Sequence, residues 1–232
     1  MYVARFLEKM IDQHDMFVLS LGGSLVIPNG NVNTKFLIQF NKFIRYQVSS
    51  KKRRFFIVVG GGEIMQQYRI AAKTVLKSHV SDHDLDMLGI HATRLNAQLL
   101  RSIFVDIACP RIIKHYEIIL KIDKPIAIAA GWKPGWSTDY DAVTLCQDYG
   151  IRSMIHMTDS KKPRSFKTMS WNNYRKMAGK TWVSETHYPF DPIASKLADE
   201  LRVTVKFLDG RNLTNLALAL DEENFVGATI GE

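Results

Sequence analysis

The fold is indicated most directly by residues 126–141, which read IAIAAGWKPGWSTDYD. The stretch opens as a continuous apolar run, which is typical of a β-strand buried on both faces. It then passes through a loop with two glycines, a proline and two tryptophans, and Ser137-Thr138-Asp139 follows as a helix N-cap signature. Open α/β sheets bind ligands where a buried strand leads through a loop into a helix, and the helix start favours an anion. The sequence therefore predicts an anion-binding site at this loop.

Trp132 and Trp136 lie in the same loop. Loops seldom carry two aromatic side chains so close together unless the rings cover a surface. From the residues alone two interpretations stay open: the indole rings cover a bound ligand, or they fill an edge of the core.

Strand and helix patterns alternate along the rest of the chain. Apolar runs predict strands at 17–21, 55–59, 126–130, 153–157, 203–208 and 225–230, with a further short one at 111–113. Helical spacing predicts helices that start at Asn33 and Glu63 and others at 84–104, 138–149, 191–201 and 213–220. The helix at 84–104 is expected to turn inward Leu85, Leu88, Leu95, Leu99 and Ile103. This alternation predicts an α/β fold with a mainly parallel sheet.

The composition is that of an ordinary globular protein, with 232 residues of which 46% are hydrophobic and 23% charged. One domain is the simplest interpretation, since the chain is long enough for an ample core. No apolar run is long enough to span a bilayer, so a membrane is not expected as a partner. Cys109 and Cys146 match no metal-binding spacing and predict reduced thiols in a cytoplasm.

The net charge is +8, and most of it is dispersed along the chain. Only Lys51-Lys52-Arg53-Arg54 forms a run, which is placed to cap the C-terminus of the preceding helix. Nucleic acid is therefore not expected as the main partner. Anionic small molecules fit the same charge equally well.

Two strand ends carry glycine turns, Gly22-Gly23-Ser24 and Gly60-Gly61-Gly62. Glycine lets backbone N–H groups come close to phosphate oxygens, although tight turns after strands also need glycine for other reasons. Neither turn has the Gly-Lys-Ser/Thr of a P-loop or the Gly-x-Gly-x-x-Gly of a dinucleotide fold. Together with the loop at Gly131, they favour a site that holds more than one phosphate.

The predicted helix at 84–104 carries Asp86, Gly89, Thr93 and Asn96, spaced by three, four and three residues. That spacing puts them along one side of the helix over three turns. A solvated face is one interpretation. A binding face is the other, and Gly89 would then allow close packing.

The order and spacing of these motifs resemble the amino-acid-kinase superfamily, and within it the archaeal-type uridylate (UMP) kinases. The motifs that carry the resemblance are Leu21-Gly22-Gly23-Ser24, Val58-Val59-Gly60-Gly61-Gly62, Asp86-x-x-Gly89-x-x-x-Thr93-x-x-Asn96-Ala97, Pro134-Gly135-x-Ser137-Thr138-Asp139 and Asp191-Pro192-x-Ala194-x-Lys196. They extend from about Phe17 to Ile230, and the element that starts at Asp86 is the most specific to UMP kinases.

The resemblance implies a three-layer α/β/α open sandwich that usually assembles into hexamers. It implies a single domain over 1–232, with a helical extension at 1–15, an acceptor lobe at about 16–150 and a donor lobe at about 151–232. It also implies a cytoplasmic enzyme of pyrimidine nucleotide biosynthesis, which transfers the γ-phosphate of ATP, with Mg²⁺, to UMP.

The resemblance assigns residues to three parts of a site. The catalytic residues would be Asp139, Gly22 and Gly23. The UMP site would comprise Gly61 at the phosphate, Asp86 at the ribose hydroxyls, Thr93, Asn96, and a loop over the base formed by Trp132, Lys133, Pro134, Gly135, Trp136, Ser137 and Thr138. The ATP site would comprise Gly23, Ser24, Gly62, Gln66, Thr158 and Lys196. No residue is assigned as a metal ligand.

The chain departs from the family pattern at three places. Many members carry a lysine where Ser20 stands, and an arginine where Gln66 stands, with Arg69 here as a partial substitute. The segment after Thr158, which holds ATP in the family, is shorter, and the basic residues Lys161, Lys162 and Arg164 either replace its contacts or form a solvated loop. These departures motivate an alternative: a non-catalytic nucleotide- or oxyanion-binding protein on the same fold.

Overall fold

The computed structural model describes residues 15–159, 167–178 and 190–231. The predicted N-terminal helix and the basic residues Lys161, Lys162 and Arg164 therefore lie outside the described residues. The strands are β1 (Met16–Leu21), β2 (Arg54–Val59), β3 (Ile126–Ala129), β4 (Ser153–Thr158), β5 (Thr168–Ser170), β6 (Thr204–Asp209) and β7 (Ala228–Gly231). The helices are α1 (Gly23–Val26), α2 (Thr34–Lys51), α3 (Gly62–Leu76), α4 (Asp82–Ile103), α5 (Thr138–Tyr149), α6 (Trp171–Ala178), α7 (Pro192–Glu200) and α8 (Leu213–Leu220).

The seven strands form one sheet in the order β3-β2-β1-β4-β6-β7-β5. Neighbouring strands run parallel, except that β6 and β7 are antiparallel. Strand β1 pairs with β2 on one side and with β4 on the other, so the order of the strands reverses between β1 and β4. The predicted α/β fold with a mainly parallel sheet is confirmed. A reversal of this kind opens a crevice at the carboxyl ends of the strands.

Helices cover both faces of the sheet. One apolar cluster packs the sheet against α2, α4 and α8, and a second packs the opposite face against α5, α6 and α7. Side chains alternate between the faces, so Val18 lies in the second cluster and Leu19 in the first. Within the described ranges, no helix is both long and apolar enough to cross a bilayer.

Two local predictions were wrong. Leu95, which was expected to face inward, is 65% exposed, because the inward side of α4 is taken by Thr93, Asn96 and Ala97. Residues 111–113 form only a single bridge, between Ile113 and Ala129, and not a strand.

The basic run at 51–54 caps the preceding helix, as predicted, and also contacts the end of a second helix. Lys52 is the C-cap of α2, and the N–H of Arg53 donates to the carbonyl of Gln47 at 3.2 Å. Arg53 is buried and donates to the carbonyl oxygen of Leu220 at 3.0 Å, at the C-terminal end of α8. Arg53 also pairs with Asp221 at 2.6 Å, and Lys51 pairs with the same carboxylate at 3.4 Å. The run thus ties the end of α8 to the end of α2.

The glycine turns that end β1 and β2 lie in direct backbone contact. A Cβ atom placed on Gly23 would lie 2.0 Å from the nitrogen of Gly62 and 2.6 Å from the carbonyl of Gly60. Gly62 also has a φ of +67°, in the left-handed region that favours glycine. Only a residue without a side chain fits between these turns at Gly23.

We expect the substitution Gly23→Ala to lower the free energy of unfolding by about 3 kcal/mol or more, since the methyl group meets backbone atoms that cannot move aside. The matched control is Gly89→Ala, where the added Cβ lies 3.2 Å from the flexible Met65 side chain. Thermal and urea unfolding of both variants check this. Equal stability of the two variants would contradict it.

Candidate active site

The described glycine turns meet at the crevice between β1 and β4. The N–H of Gly22 donates to the carbonyl of Met157 on β4 at 2.8 Å, and the N–H of Gly60 donates to the carbonyl of Leu21 at 3.0 Å. These bonds join the ends of β4, β1 and β2 at one edge of the sheet. The two predicted phosphate-binding turns therefore form one surface.

Asn96 holds the second glycine turn from the side of α4. Its amide nitrogen donates to the carbonyls of Gly60 and Gly61 at 2.8 and 3.1 Å, and the side chain is buried. The structure thus brings Asn96 to the turn, where it fixes the backbone of Gly61.

Helix α4 also holds the loop that follows β3. The hydroxyl of Thr93 accepts from the N–H of Gly131 at 2.9 Å. Arg94, for which the sequence suggested no role, donates to the carbonyls of Gly131 and Trp132 at 3.3 and 3.0 Å. Since Gly89, Thr93 and Asn96 are buried, the solvated-face interpretation of this helix is wrong.

Asp86 joins two parts of the site. One carboxylate oxygen accepts from the guanidinium of Arg69 at 2.7 Å, and the other accepts from the N–H of Gly135 at 2.8 Å. Arg69 is buried and donates also to the carbonyl of Leu85 at 3.0 Å. Arg69 thus supports Asp86 in the described structure, and its partial replacement of a phosphate-binding arginine stays a prediction.

The two tryptophans of the loop belong to an aromatic cluster. The ring of Trp132 lies 5.8 Å from that of Tyr116 and 4.6 Å from that of Trp136, which in turn lies 4.2 Å from Tyr140. The ammonium of Lys133 lies over both indoles, 4.0 and 4.5 Å from the ring centres. Trp132 packs against the core, as one interpretation expected, whereas Trp136 packs edge-to-face against Trp132 and stays half-buried.

Asp139 stands at the start of α5, where the predicted N-cap Ser137 accepts from the N–H of Tyr140 at 3.1 Å. The hydroxyl of Ser20 donates to the Asp139 carboxylate at 3.3 Å, and so does the N–H of Asp191, also at 3.3 Å. Nδ1 of His156 lies 3.1 Å from the same carboxylate. Sequence reasoning missed His156. Its signal was a polar side chain in the otherwise apolar run 153–157.

A second carboxyl group, that of Asp191, lies beside Asp139. Asp191 caps α7 by accepting from the N–H of Ile193 at 2.7 Å, as predicted, and it also accepts from the hydroxyl of Ser137. Burial raises the pKa of Asp191 to about 6, and the nearby Asp139 charge acts in the same direction, while the bond from Ser137 opposes it. The carboxyl groups of Asp139 and Asp191 thus lie side by side where α5 and α7 begin.

The predicted donor residues are spread more widely. Thr158 ends β4, and its carbonyl accepts from the N–H of Gly210 at 2.8 Å. Ser24 and Gln66 are half-buried near the glycine turns, on α1 and α3. Lys196 is different, because its side chain is 72% exposed on α7 and lies 3.9 Å from Glu200. The described structure brings Lys196 into no contact with the glycine turns.

Asp141 is a buried acid behind the loop. It is fully buried, and among the described residues neither carboxylate oxygen has a hydrogen-bond partner. Burial raises the pKa of Asp141 well above its usual range. The folded protein therefore keeps the carboxyl protonated at pH values where the unfolded chain ionises it.

We expect Asp141→Asn to stabilise the protein at pH 7. Above about pH 4 the unfolded chain releases the Asp141 proton and the folded chain does not, so the wild type loses about 1.4 kcal/mol for each unit by which the pKa is raised. The variant has no such loss, and its Tm should exceed that of the wild type by about 3 °C or more at pH 7.

The measurement is Tm from pH 3.5 to 7.5, with the exposed Glu117→Gln as control. The gap between variant and wild type should grow as the pH rises. A gap that is constant across this range would contradict a buried, protonated Asp141.

Known proteins resemble this chain over nearly its whole length. The curated uridylate kinase of Methanosarcina barkeri is 28% identical, over 90% of this chain and 92% of its own. That of Methanospirillum hungatei is 29% identical, over 92% of this chain and 93% of its own. No protein-family model matches the chain.

Solved structures give the same result. The uridylate kinase of Archaeoglobus fulgidus has a TM-score of 0.75 at 26% identity, covering 93% of this chain and 99% of its own. The UMP kinase of Bacillus anthracis, at 15% identity, shares the fold with a TM-score of 0.74, covering 94% of this chain and 96% of its own. In the order of its motifs and over nearly its whole length, the chain is thus similar to uridylate kinases of the amino-acid-kinase superfamily.

Proposed function

We propose that the protein is a phosphotransferase that transfers the γ-phosphate of ATP to UMP. The observation that carries the proposal is the cleft in which Asp86 binds the loop at Gly135 while Asn96, on the same helix, binds the glycine turn at Gly61. A carboxylate on this helix, and a glycine turn that the same helix holds in place, match the two polar ends of a nucleoside monophosphate.

Asp86 is suited to the ribose. Each of its oxygens makes one hydrogen bond in the described structure, and a carboxylate oxygen can accept two. Acceptor capacity is thus left for ribose hydroxyl groups. We assign the phosphate to the turn at Gly61, and the base to the aromatic loop at 132–138, to which Thr93 and Arg94 contribute by fixing its backbone.

We assign the ATP phosphates to Gly22, Gly23, Ser24 and Gly62, where turns and helix starts offer backbone N–H groups. We assign Thr158 to the end of this surface where the nucleoside of ATP would bind. Gln66 and Lys196 remain predictions for the donor side. The described residues contain no group of three His, Cys, Asp or Glu side chains that could hold a metal ion. In the proposed reaction magnesium enters as part of the Mg-ATP substrate.

In the proposed reaction an oxygen of the UMP phosphate forms a bond to the γ-phosphorus of ATP. The bond from that phosphorus to the bridging oxygen breaks, and ADP leaves with the electron pair. Such transfers depend on positioning and on electrostatic stabilisation, and need little covalent chemistry from the protein. Asp139, at the end of β1 and the start of α5, is placed to organise this centre.

The alternative of a binding protein without turnover is not favoured, because the curated relatives are named as uridylate kinases. The two lobes, a homo-oligomer such as a hexamer, and a cytoplasmic location remain predictions of the family resemblance.

We expect purified protein with Mg-ATP and UMP to form UDP and ADP in equal amounts, measured by anion-exchange chromatography. Asp139→Asn should lower kcat at least tenfold, because it disturbs the carboxylate that joins Ser20 to the N–H of Asp191 and that we propose organises the reaction centre. Asp106→Asn, which alters only a surface pair with Arg45, should leave kcat unchanged. If UMP raises Tm and no ADP forms, the binding-protein alternative takes the place of the kinase.

Asp86→Asn tests the acceptor site separately. We expect KM for UMP to rise about tenfold, which corresponds to about 1.4 kcal/mol and to the loss of a charge-assisted hydrogen bond. KM for ATP should stay within about twofold. The exposed Asp82→Asn on the same helix is the control. A parallel rise in both KM values would mean that Asp86 acts only in folding.

A further inference from the structure

His156 is the basic side chain that the described structure brings against Asp139. Its Nδ1 lies 3.1 Å from Oδ1 of the carboxylate, and both side chains are largely buried, at 12% and 16% exposure. The contact is not directed as a hydrogen bond, since Nδ1 has no hydrogen-bond partner among the described residues. The two side chains are thus in close contact without a hydrogen bond between them in the described structure.

The backbone explains this approach. His156 on β4 is the register partner of Ser20 on β1, so both side chains point to the same face of the sheet. The Ser20 hydroxyl donates to the same oxygen, Oδ1 of Asp139, at 3.3 Å. Two adjacent strand ends thus converge on one carboxylate oxygen at the start of α5.

Aromatic rings and acidic groups surround the imidazole of His156. The rings of Phe190 and Phe207 lie 6.0 and 5.2 Å from the imidazole and limit its contact with water. The titratable groups here are Asp139 from α5 and Asp191 ahead of α7, both acidic, while β1 contributes the neutral Ser20. Charges interact more strongly in such a poorly solvated place.

Two acidic groups would repel the phosphates that the proposed reaction brings to the neighbouring glycine turns. We propose that His156 is a positioning residue for phosphoryl transfer, whose protonated ring offsets the charge of Asp139 and holds its carboxylate at the reaction centre. This inference rests on the proposed kinase function.

The test compares His156→Gln with wild type in the UMP kinase assay. Glutamine can still donate to Asp139 but carries no charge. We expect kcat to fall at least tenfold while KM for UMP and for ATP stays within about twofold. A purely structural role would instead lower Tm and change both KM values, and this result would overturn the proposal, as would an unchanged kcat.

A second variant supplies the charge from the neighbouring strand. Because Ser20 already reaches the same carboxylate oxygen, Ser20→Lys combined with His156→Gln should recover most of the lost kcat. If His156→Gln alone does not fold, the double variant still tests the proposal, because its kcat should stay close to that of the wild type.

The wild-type assay, run in parallel, distinguishes the two levels of inference. Wild-type protein that forms no UDP overturns the kinase function and this proposal with it. Active wild type with an unaffected His156→Gln overturns the role of His156 alone.

Discussion

The contact between the two glycine turns is the constraint on which the site depends. Gly23 approaches the backbone of Gly60 and Gly62 too closely for any side chain. Because these residues directly follow β1 and β2, the approach fixes where both strands end and where α1 and α3 begin. The sheet and two helix starts thus share a single boundary, and backbone groups rather than side chains form the surface at the crevice.

Helix α4 is the second element that organises the site. Its inward face is unusually polar for a helix packed on a sheet, and each polar side chain binds main-chain atoms of another segment. Asn96 binds the turn at Gly60 and Gly61, and Thr93 and Asp86 bind the loop at Gly131 and Gly135. The polar side chains of this face therefore hold the loops around the candidate site in place, in addition to any contact that they make with a ligand.

The sequence was sufficient for the fold, because its apolar runs, glycine turns and helix caps all point to the same alternation of strands and helices. It was also sufficient to group Asp86, Thr93 and Asn96, since their spacing defines one helix face. It could not give the partners of Arg69, Arg94 or His156. Those contacts join segments far apart in the chain, and only strand register and helix packing bring them together. Leu95 was misplaced for a related reason: an apolar residue does not face inward when polar neighbours make the inward contacts.

The way in which the loop after β3 is held has a consequence for how the protein can change. Asp86, Thr93 and Arg94 bind its N–H and carbonyl groups and none of its side chains. These hydrogen bonds use only the backbone of the loop, so they do not depend on the side chains at 132, 133 and 136. Under the proposed function, substitutions there can alter which base is accepted while these hydrogen bonds stay the same.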